Sequence, residues 1–245
     1  MSSFSSDHNI RRSIPQLLTT LGWQGTAIHE CGEPLIAVAQ LDTRRVVQLS
    51  SYFKSGFRQA SRNLFVRQKV GELLLGAAAQ LPIGMRIAVF DAWRSAELQQ
   101  EILSKYVERL KQTDSTASDS QLIEKAKRYV SLPAIDPNQP APHLTGGAVD
   151  VTLCDELGRL VCMGTEFDYF GPMAATRYFE EITPSSPAQI EGDGPLQNRR
   201  LLFNVMVNQG FTNYSEEWWH FDFGNQFWAK VNGAHAIYGP AHPHA

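Results

Sequence analysis

Two polar clusters interrupt apolar stretches in the second half of the chain, and both carry residue types that bind metals. In the first, HLTGGAVD, His143 and Asp150 stand on either side of the pair Gly146-Gly147. An extended strand rises about 3.3 Å per residue, so the two side chains would lie roughly 23 Å apart unless the glycines let the chain fold back. A buried Asp150 needs a cationic or metal partner. Taken alone, this cluster favours a simple Gly-Gly hairpin in which Asp150 accepts a hydrogen bond from a backbone amide.

The second cluster, SEEWWHFD, places a histidine among aromatic residues of a predicted strand. His220 would sit in a dry, partly enclosed setting, and Glu217 precedes it by three positions. Side chains at that spacing on a regular strand face opposite sides, so a shared site requires a bend or bulge near Trp218. The alternative is an ordinary core strand whose histidine donates to a carbonyl, and this cluster alone favours it.

Considered together, the two clusters predict a three-ligand metal site. His143, Asp150 and His220 offer two imidazole nitrogens and one carboxylate oxygen. A fourth tetrahedral position would remain for water, as in catalytic zinc sites. Glu217 is suitably placed to take the proton of that water and deliver it to a leaving amine. This combination predicts hydrolysis of a peptide bond.

A third feature is the segment FDAWRS, where a predicted strand passes into a helix. Arg94 in this segment could reach over a site and hold an oxyanion or a substrate carboxylate with its planar donors. The alternative, equally favoured by the sequence, is a surface arginine paired with Asp91.

The elements that must position these residues follow from the hydrophobic pattern. Ser95 is a predicted N-cap with Glu97 in the first turn of the helix that follows. Because strands and helices do not alternate regularly, we expect a single α+β domain over residues 1–245, with a mainly antiparallel sheet, flanking helices, the zinc site on the sheet and a frayed segment 1–14. The remaining patterns predict strands within 35–49, 85–90, 148–153 and 217–223, helices at 15–21, 64–80, 121–130 and 199–209, and loops at 113–120, 133–142 and 183–195.

Composition excludes several classes of protein. The 245 residues include 22 Lys+Arg and 25 Asp+Glu, a formal net charge of −3, which excludes a globally basic binder of nucleic acid or membrane surfaces. No run approaches the roughly 20 apolar residues that span a bilayer. The 3 cysteines cannot form a fully paired disulfide framework, and the polar first residues lack the apolar stretch of a signal peptide. We therefore expect a cytoplasmic protein, and a homo-oligomer is left open.

The motifs resemble those of the VanX-type D-alanyl-D-alanine dipeptidases, within the zinc DD-peptidases. The resemblance rests on four segments that occur in the family's order, and it extends loosely from about residue 35 to 230. It implies one zinc per chain on His143, Asp150 and His220, with Glu217 as general base and acid. It also implies that Arg94 stabilises the tetrahedral intermediate and that Asp168 receives the substrate's free amino group. The segments are FDAWRS (90–95), HLTGGAVDVTL (143–153), MGTEFDYF (163–170) and EWWHF (217–221).

The sequence departs from the family pattern where substrate is selected. The family carries Ser-x-His at the first ligand, whereas Ala141-Pro142 precedes His143 here, and Leu144 replaces a small polar residue. The family's N-terminal tyrosine and the Asn-Phe after it have no clean counterpart within 49–65. We therefore expect D-Ala-D-Ala or a related small dipeptide as substrate.

Two other functions stay open on the sequence. One is a related zinc carboxypeptidase or endopeptidase that trims peptidoglycan peptides. The other is a zinc-stabilised binding module without catalysis, and Glu217 argues against it because a module that only binds has no need of a general base.

Overall fold

The computed structural model describes residues 10–18, 21–127, 130–132, 136–182 and 194–243. Its centre is a five-stranded sheet in which one neighbouring pair is parallel and the other three are antiparallel. A separate antiparallel pair, Leu35–Ala37 with Phe65–Arg67, lies outside that sheet. The strands of the described residues are β1 (Leu35–Ala37), β2 (Val46–Gln48), β3 (Phe65–Arg67), β4 (Met85–Asp91), β5 (Ala148–Asp155), β6 (Thr212–Asn213) and β7 (His220–Asp222), and the order in the large sheet is β2-β4-β5-β7-β6.

Helices flank the sheet, which confirms the predicted single-domain α+β class with a mainly antiparallel sheet. None of the helices in the described part of the chain is both long and apolar enough to cross a membrane. Short 3₁₀ turns occur at Trp23–Gly25, Val38–Gln40, Pro142–Thr145 and Pro172–Ala174. The α-helices of the described residues are α1 (Ser51–Lys54), α2 (Gln68–Ala78), α3 (Ala96–Thr113), α4 (Asp119–Ala126), α5 (Tyr178–Glu181), α6 (Pro195–Val207) and α7 (Gln226–Asn232).

The two central strands, β4 and β5, explain why the site lies where it does. Along β5 the side chains of Val149, Val151 and Leu153 enter the main hydrophobic core. Successive residues of a strand point to opposite faces, so Asp150 is directed away from that core, into a cavity. The predicted strands at 85–90 and 148–153 are thus confirmed, with Asp91 closing β4.

Helix α3 begins at Ala96, directly after the predicted N-cap Ser95. The Ser95 side chain accepts a hydrogen bond from the backbone N–H of Leu98, and Glu97 occupies the first turn. On α3 the side chains of Leu98, Ile102 and Tyr106 are buried in a second cluster, where they pack with residues of α1 and α4. This layer supports one side of the cavity, which Ile102 lines.

The predicted helix at 15–21 is wrong for residues 15–18, which are not helical; 19–20 lie outside the described residues. The residues just before this segment are bound by groups remote in sequence. Ile14 is buried, and its backbone N–H donates to Glu180, while the Asn204 side chain donates to the carbonyl of Arg12. Ile10 is buried as well, and residues 1–9 of the segment expected to be frayed lie outside the described residues.

The other predicted boundaries shift where pairing overrides local preference. The helix predicted over 64–80 begins only at Gln68, because Phe65–Arg67 pair with β1 as strand β3. The strand predicted over 217–223 is confined to His220–Asp222, and residues 215–219 form a turn. The loop at 183–195 lies outside the described residues up to 193, and α6 starts at Pro195.

Candidate active site

His143 lies on the 3₁₀ turn Pro142–Thr145, which leads directly into β5. Proline suits the first position of a helix because it has no N–H to satisfy there. Gly146 ends the turn at φ +71°, and a Cβ there would overlap the Leu35 side chain. The sequence needed a fold-back between His143 and Asp150, and this turn supplies it: the His143 Nε2 lies 3.4 Å from Asp150 Oδ2.

The His143 turn is bonded to the end of β4 in both directions. The His143 Nδ1 lies 2.6 Å from the carbonyl oxygen of Ala92, so it carries the proton and donates. In return, the Arg94 backbone N–H donates to the carbonyl of His143 over 3.2 Å. With Nδ1 occupied, the His143 Nε2 is left facing Asp150.

Strand register brings the third member into place. Asp150 on β5 and His220 on β7 are directly opposed in the antiparallel pair. The His220 Nδ1 lies 3.0 Å from Asp150 Oδ1, and its Nε2 lies 3.0 Å from Asp222 Oδ2. Asp222 thus fixes the ring from behind and leaves Nδ1 directed at the site.

His143, Asp150 and His220 form one buried group, called here the ligand cluster. Their exposed fractions are 5%, 2% and 8%, and one ligand atom from each lies within 4.8 Å of the others. No other group of three or more histidine, cysteine or acidic side chains in the described ranges comes together in this way. Burial by itself raises the pKa of Asp150, but the two histidines beside it lower that pKa well below its usual range. The cluster therefore presents an anionic oxygen between two imidazole nitrogens.

Glu217 reaches the site because it lies in a turn rather than on a strand. Its backbone N–H donates to the Tyr214 carbonyl, and its own carbonyl accepts from the N–H of His220. This is the bend near Trp218 that a shared site required. Glu217 lines the same cavity as the ligand cluster, and burial raises the pKa of its carboxyl to about 8.

Arg94 is buried beside the ligand cluster rather than exposed. The pairing with Asp91 that its alternative interpretation predicted is present, with Arg94 Nε 2.9 Å from Asp91 Oδ2. The remaining guanidinium nitrogens reach Gln99 Oε1 at 2.9 Å and Asp150 Oδ2 at 3.4 Å. The predicted surface location is wrong because these three acceptors draw the side chain inward, where it lines the cavity.

Asp168 lines the cavity from an irregular loop. Its backbone has φ +58°, a left-handed conformation that is uncommon for residues other than glycine. The Tyr52 side chain hydrogen-bonds its carboxyl, and the Arg94 guanidinium packs 5.1 Å from the centre of the Tyr52 ring. Burial raises the pKa of Asp168 to about 7, and the nearby Asp150 charge adds to that rise.

All six predicted site residues therefore line one cavity of about 510 Å³. Sequence reasoning missed Tyr52, although a tyrosine was sought within 49–65, because α1 could not be placed relative to the ligand cluster. It also missed Asp222, for which a signal existed: a carboxylate two residues after His220 on a strand lies on the same face. Gln99, which binds Arg94, gave no such signal. The six are Arg94, His143, Asp150, Asp168, Glu217 and His220.

Comparisons with known proteins identify the family of this chain. The family Peptidase_M15, described as D-ala-D-ala dipeptidase, matches residues 36–237. The chain is 30% identical over 215 residues to the D-alanyl-D-alanine dipeptidase of Synechocystis sp. (strain ATCC 27184 / PCC 6803 / Kazusa), covering 82% of this chain and 86% of that protein. It is 25% identical over 164 residues to the D-alanyl-D-alanine dipeptidase of Escherichia coli (strain K12), covering 67% and 68%.

A solved structure, VanYB in complex with D-Alanine-D-Alanine, aligns with 73% of this chain and 84% of its own at 19% identity and a TM-score of 0.43. The family match includes all six site residues and extends over most of the chain. The chain therefore belongs to the Peptidase_M15 family of D-ala-D-ala dipeptidases.

Proposed function

We propose that this protein hydrolyses D-alanyl-D-alanine, or a closely related dipeptide, in a zinc-dependent reaction. The observation that carries the proposal is the ligand cluster in one cavity with the carboxyl group of Glu217. Family membership and the activity named for the curated relatives support the same reaction.

The donor set of the ligand cluster fits zinc. Zinc favours imidazole nitrogens and carboxylate oxygens, and its catalytic sites use three protein ligands. Each histidine has its second ring nitrogen bonded, to the Ala92 carbonyl or to Asp222, as zinc-binding histidines require. Zinc held there would supply a Lewis acid that polarises the scissile carbonyl and lowers the pKa of water. We propose one zinc per chain.

The residues around the ligand cluster then divide the reaction between them. Hydrolysis adds hydroxide to the carbonyl carbon, breaks the C–N bond and gives a proton to the leaving amine. Glu217 accepts the proton of the attacking water and transfers it to that amine nitrogen. Arg94 stabilises the negative charge that develops on the carbonyl oxygen, and Asp168 binds the ammonium group of the substrate.

The test is an assay of the zinc-loaded protein against D,D-, L,D- and L,L-dipeptides. We expect release of D-alanine from D-Ala-D-Ala, loss of that activity on zinc chelation, and recovery when zinc is restored. Equal inertness of the native and chelated protein toward the whole panel would overturn the proposal.

The size of the cavity keeps one alternative under test. About 510 Å³ is within the range of sites for ligands larger than a dipeptide. A zinc carboxypeptidase would release D-alanine from a pentapeptide ending in D-Ala-D-Ala at a rate comparable to that for the dipeptide, and an endopeptidase would cleave an internal bond of such a peptide. We expect the dipeptide to be preferred, because Asp168 in the cavity would bind a free ammonium group that the pentapeptide does not present next to its terminal peptide bond.

We also propose that residues 1–245 act as one dipeptidase domain. We propose that the protein acts in the cytoplasm and that its dipeptide substrate is related to peptidoglycan. The location is supported by the three cysteines, Cys31, Cys154 and Cys162, which are free thiols, as a reducing compartment favours. Cell fractionation with an antibody against the protein tests the location.

Size-exclusion chromatography tests whether the protein forms the homo-oligomer that the sequence left open.

A further inference from the structure

Arg199, on helix α6, is a buried cation that none of the proposed catalytic steps uses. Its side chain is almost fully enclosed, at 2% exposure. All of its described hydrogen bonds go to backbone carbonyls: Nε to Met163, Nη1 to Ala175 and Nη2 to Met173, each at 2.8 Å. One guanidinium therefore fixes three carbonyl groups at the same time.

The three carbonyls are the two ends of a single loop. Met163 begins the segment and Met173 and Ala175 close it, and we call Met163–Ala175 the Asp168 loop. Apart from the 3₁₀ turn Pro172–Ala174, the loop has no regular structure, and Asp168 itself has a left-handed backbone. A loop without internal ladders of hydrogen bonds depends on bonds from outside to hold a single conformation.

The electrostatics of Arg199 point to a geometric role. Two other arginines with largely buried side chains form ion pairs, Arg67 with Glu30 and Arg200 with Glu180. None of the described carboxylates pairs with Arg199, and burial lowers its pKa to about 9. A buried charge without a counterion is costly. Three diverging carbonyls suit the planar fork of arginine, whereas lysine presents a single ammonium.

We propose that Arg199 is a positioning residue, which clamps both ends of the Asp168 loop so that Asp168 meets the ammonium group of the substrate. This inference rests on the proposed function and on the role given there to Asp168. The ring of Phe179 completes the clamp: the Arg199 guanidinium carbon lies 4.6 Å from its centre.

The experiment compares Arg199→Lys with the wild type, in native and Asp168→Asn backgrounds. We expect Arg199→Lys to raise KM for the dipeptide roughly tenfold, the size of effect given by one misplaced charged hydrogen bond, with a smaller change in kcat and full zinc content. In the Asp168→Asn background the same substitution should leave KM unchanged, because the group that it positions has already been altered. A general loss of packing would act equally in both backgrounds.

Arg200→Lys is the matched control, since it alters the neighbouring residue on α6, whose partner is Glu180 rather than the loop. Its KM should equal that of the wild type. If Arg199→Lys fails to fold, Phe179→Leu, which weakens the clamp without removing the cation, is tested in the same two backgrounds.

Two results would overturn the inference while leaving the proposed function intact. One is an active wild type with unchanged KM in Arg199→Lys. The other is a fall in kcat at constant KM, since the Ala174 carbonyl also accepts from the Trp218 N–H and so connects to the Glu217 turn. A wild type inactive toward every dipeptide would overturn the proposed function itself.

Discussion

The ligand cluster and the Asp168 loop both line one cavity, yet they are held in place by different means. Asp150 and His220 are fixed by the register of β5 and β7, and His143 by a short turn bonded to the end of β4. Asp168 lies instead on irregular backbone held by the side chain of Arg199. Strand pairing and a turn thus build the metal side, whereas the side-chain hydrogen bonds of one arginine to backbone carbonyls hold the substrate side.

The difference has a consequence for experiments. Changes on the metal side should act on zinc content, and changes on the substrate side should act on kinetic constants with zinc retained. Glu217 stands between the two, because its turn connects to β7 and also, through Trp218, to the end of the Asp168 loop.

The largest effect is expected for His220→Ala. Removing one of three ligands should reduce the zinc content from about one per chain to well below that and abolish hydrolysis. Metal analysis of the purified variant measures the first, and the dipeptide assay the second. Far-UV circular dichroism checks that the sheet is retained. Absence of zinc from the wild type as well would remove the basis for the metal side.

Glu217→Gln should lower kcat by roughly 10²–10⁴-fold, the usual contribution of a general base and acid, while zinc stays bound. The amide keeps the size of the side chain but cannot accept the proton. Steady-state kinetics and metal analysis on the same sample give both quantities. Equal inertness of the wild type and this variant toward the dipeptide panel would favour the zinc-stabilised binding module, and wild-type activity in the variant would overturn the role of Glu217 as general base.

Asp222→Asn tests whether the hydrogen-bond partner of a ligand histidine contributes to zinc binding. The loss of this partner of His220 should weaken zinc binding about 10–100-fold. Competition with a chelator of known affinity measures it. Asp155→Asn is the control: this carboxylate lies at the far end of β5, paired with Arg159, and its loss should leave zinc affinity unchanged. Equal weakening in both variants would contradict the assignment.

The smallest of these effects is expected for Asp168→Asn. A neutral amide should bind the substrate ammonium more weakly and raise KM about tenfold, a charged hydrogen bond being worth about 1.5–3 kcal/mol. Zinc content should not change. Glu166→Gln, an exposed position on the same loop, serves as the control and should keep the wild-type KM. Loss of zinc in Asp168→Asn would show that the two sides are not separable.

The contrast between the sides also explains what the sequence could predict. The ligand cluster was accessible because spacing, strand alternation and a glycine turn are local properties, and β5 was predicted correctly. The strand predicted around the motif EWWHF is longer than the observed one. The aromatic pattern of the motif does not reveal the turn before His220, in which the Glu217 N–H donates to the Tyr214 carbonyl.

Other features depend on contacts between residues far apart in the sequence and could not be predicted from the sequence. Residues 15–18 follow a helical pattern but are not helical, and the residues just before them, Arg12 and Ile14, are bound by Asn204 and Glu180. Arg199 belongs to helix α6, which is buried over most of its length, and its sequence gives no sign of the loop that it clamps. Asp222 could have been found by strand parity, whereas the place of Tyr52 in the cavity follows only from tertiary packing.

The reciprocal bonds between His143 and the end of β4 carry a lesson for protein engineering. The His143 ring binds the Ala92 carbonyl, and the Arg94 N–H binds the His143 carbonyl, so two motifs about fifty residues apart form one rigid part. A graft of HLTGG into another scaffold, or a chimaera with a crossover between these motifs, would carry the metal ligand His143 without the hydrogen bonds that orient it. The two segments should be exchanged together, as a single module inherited from one parent.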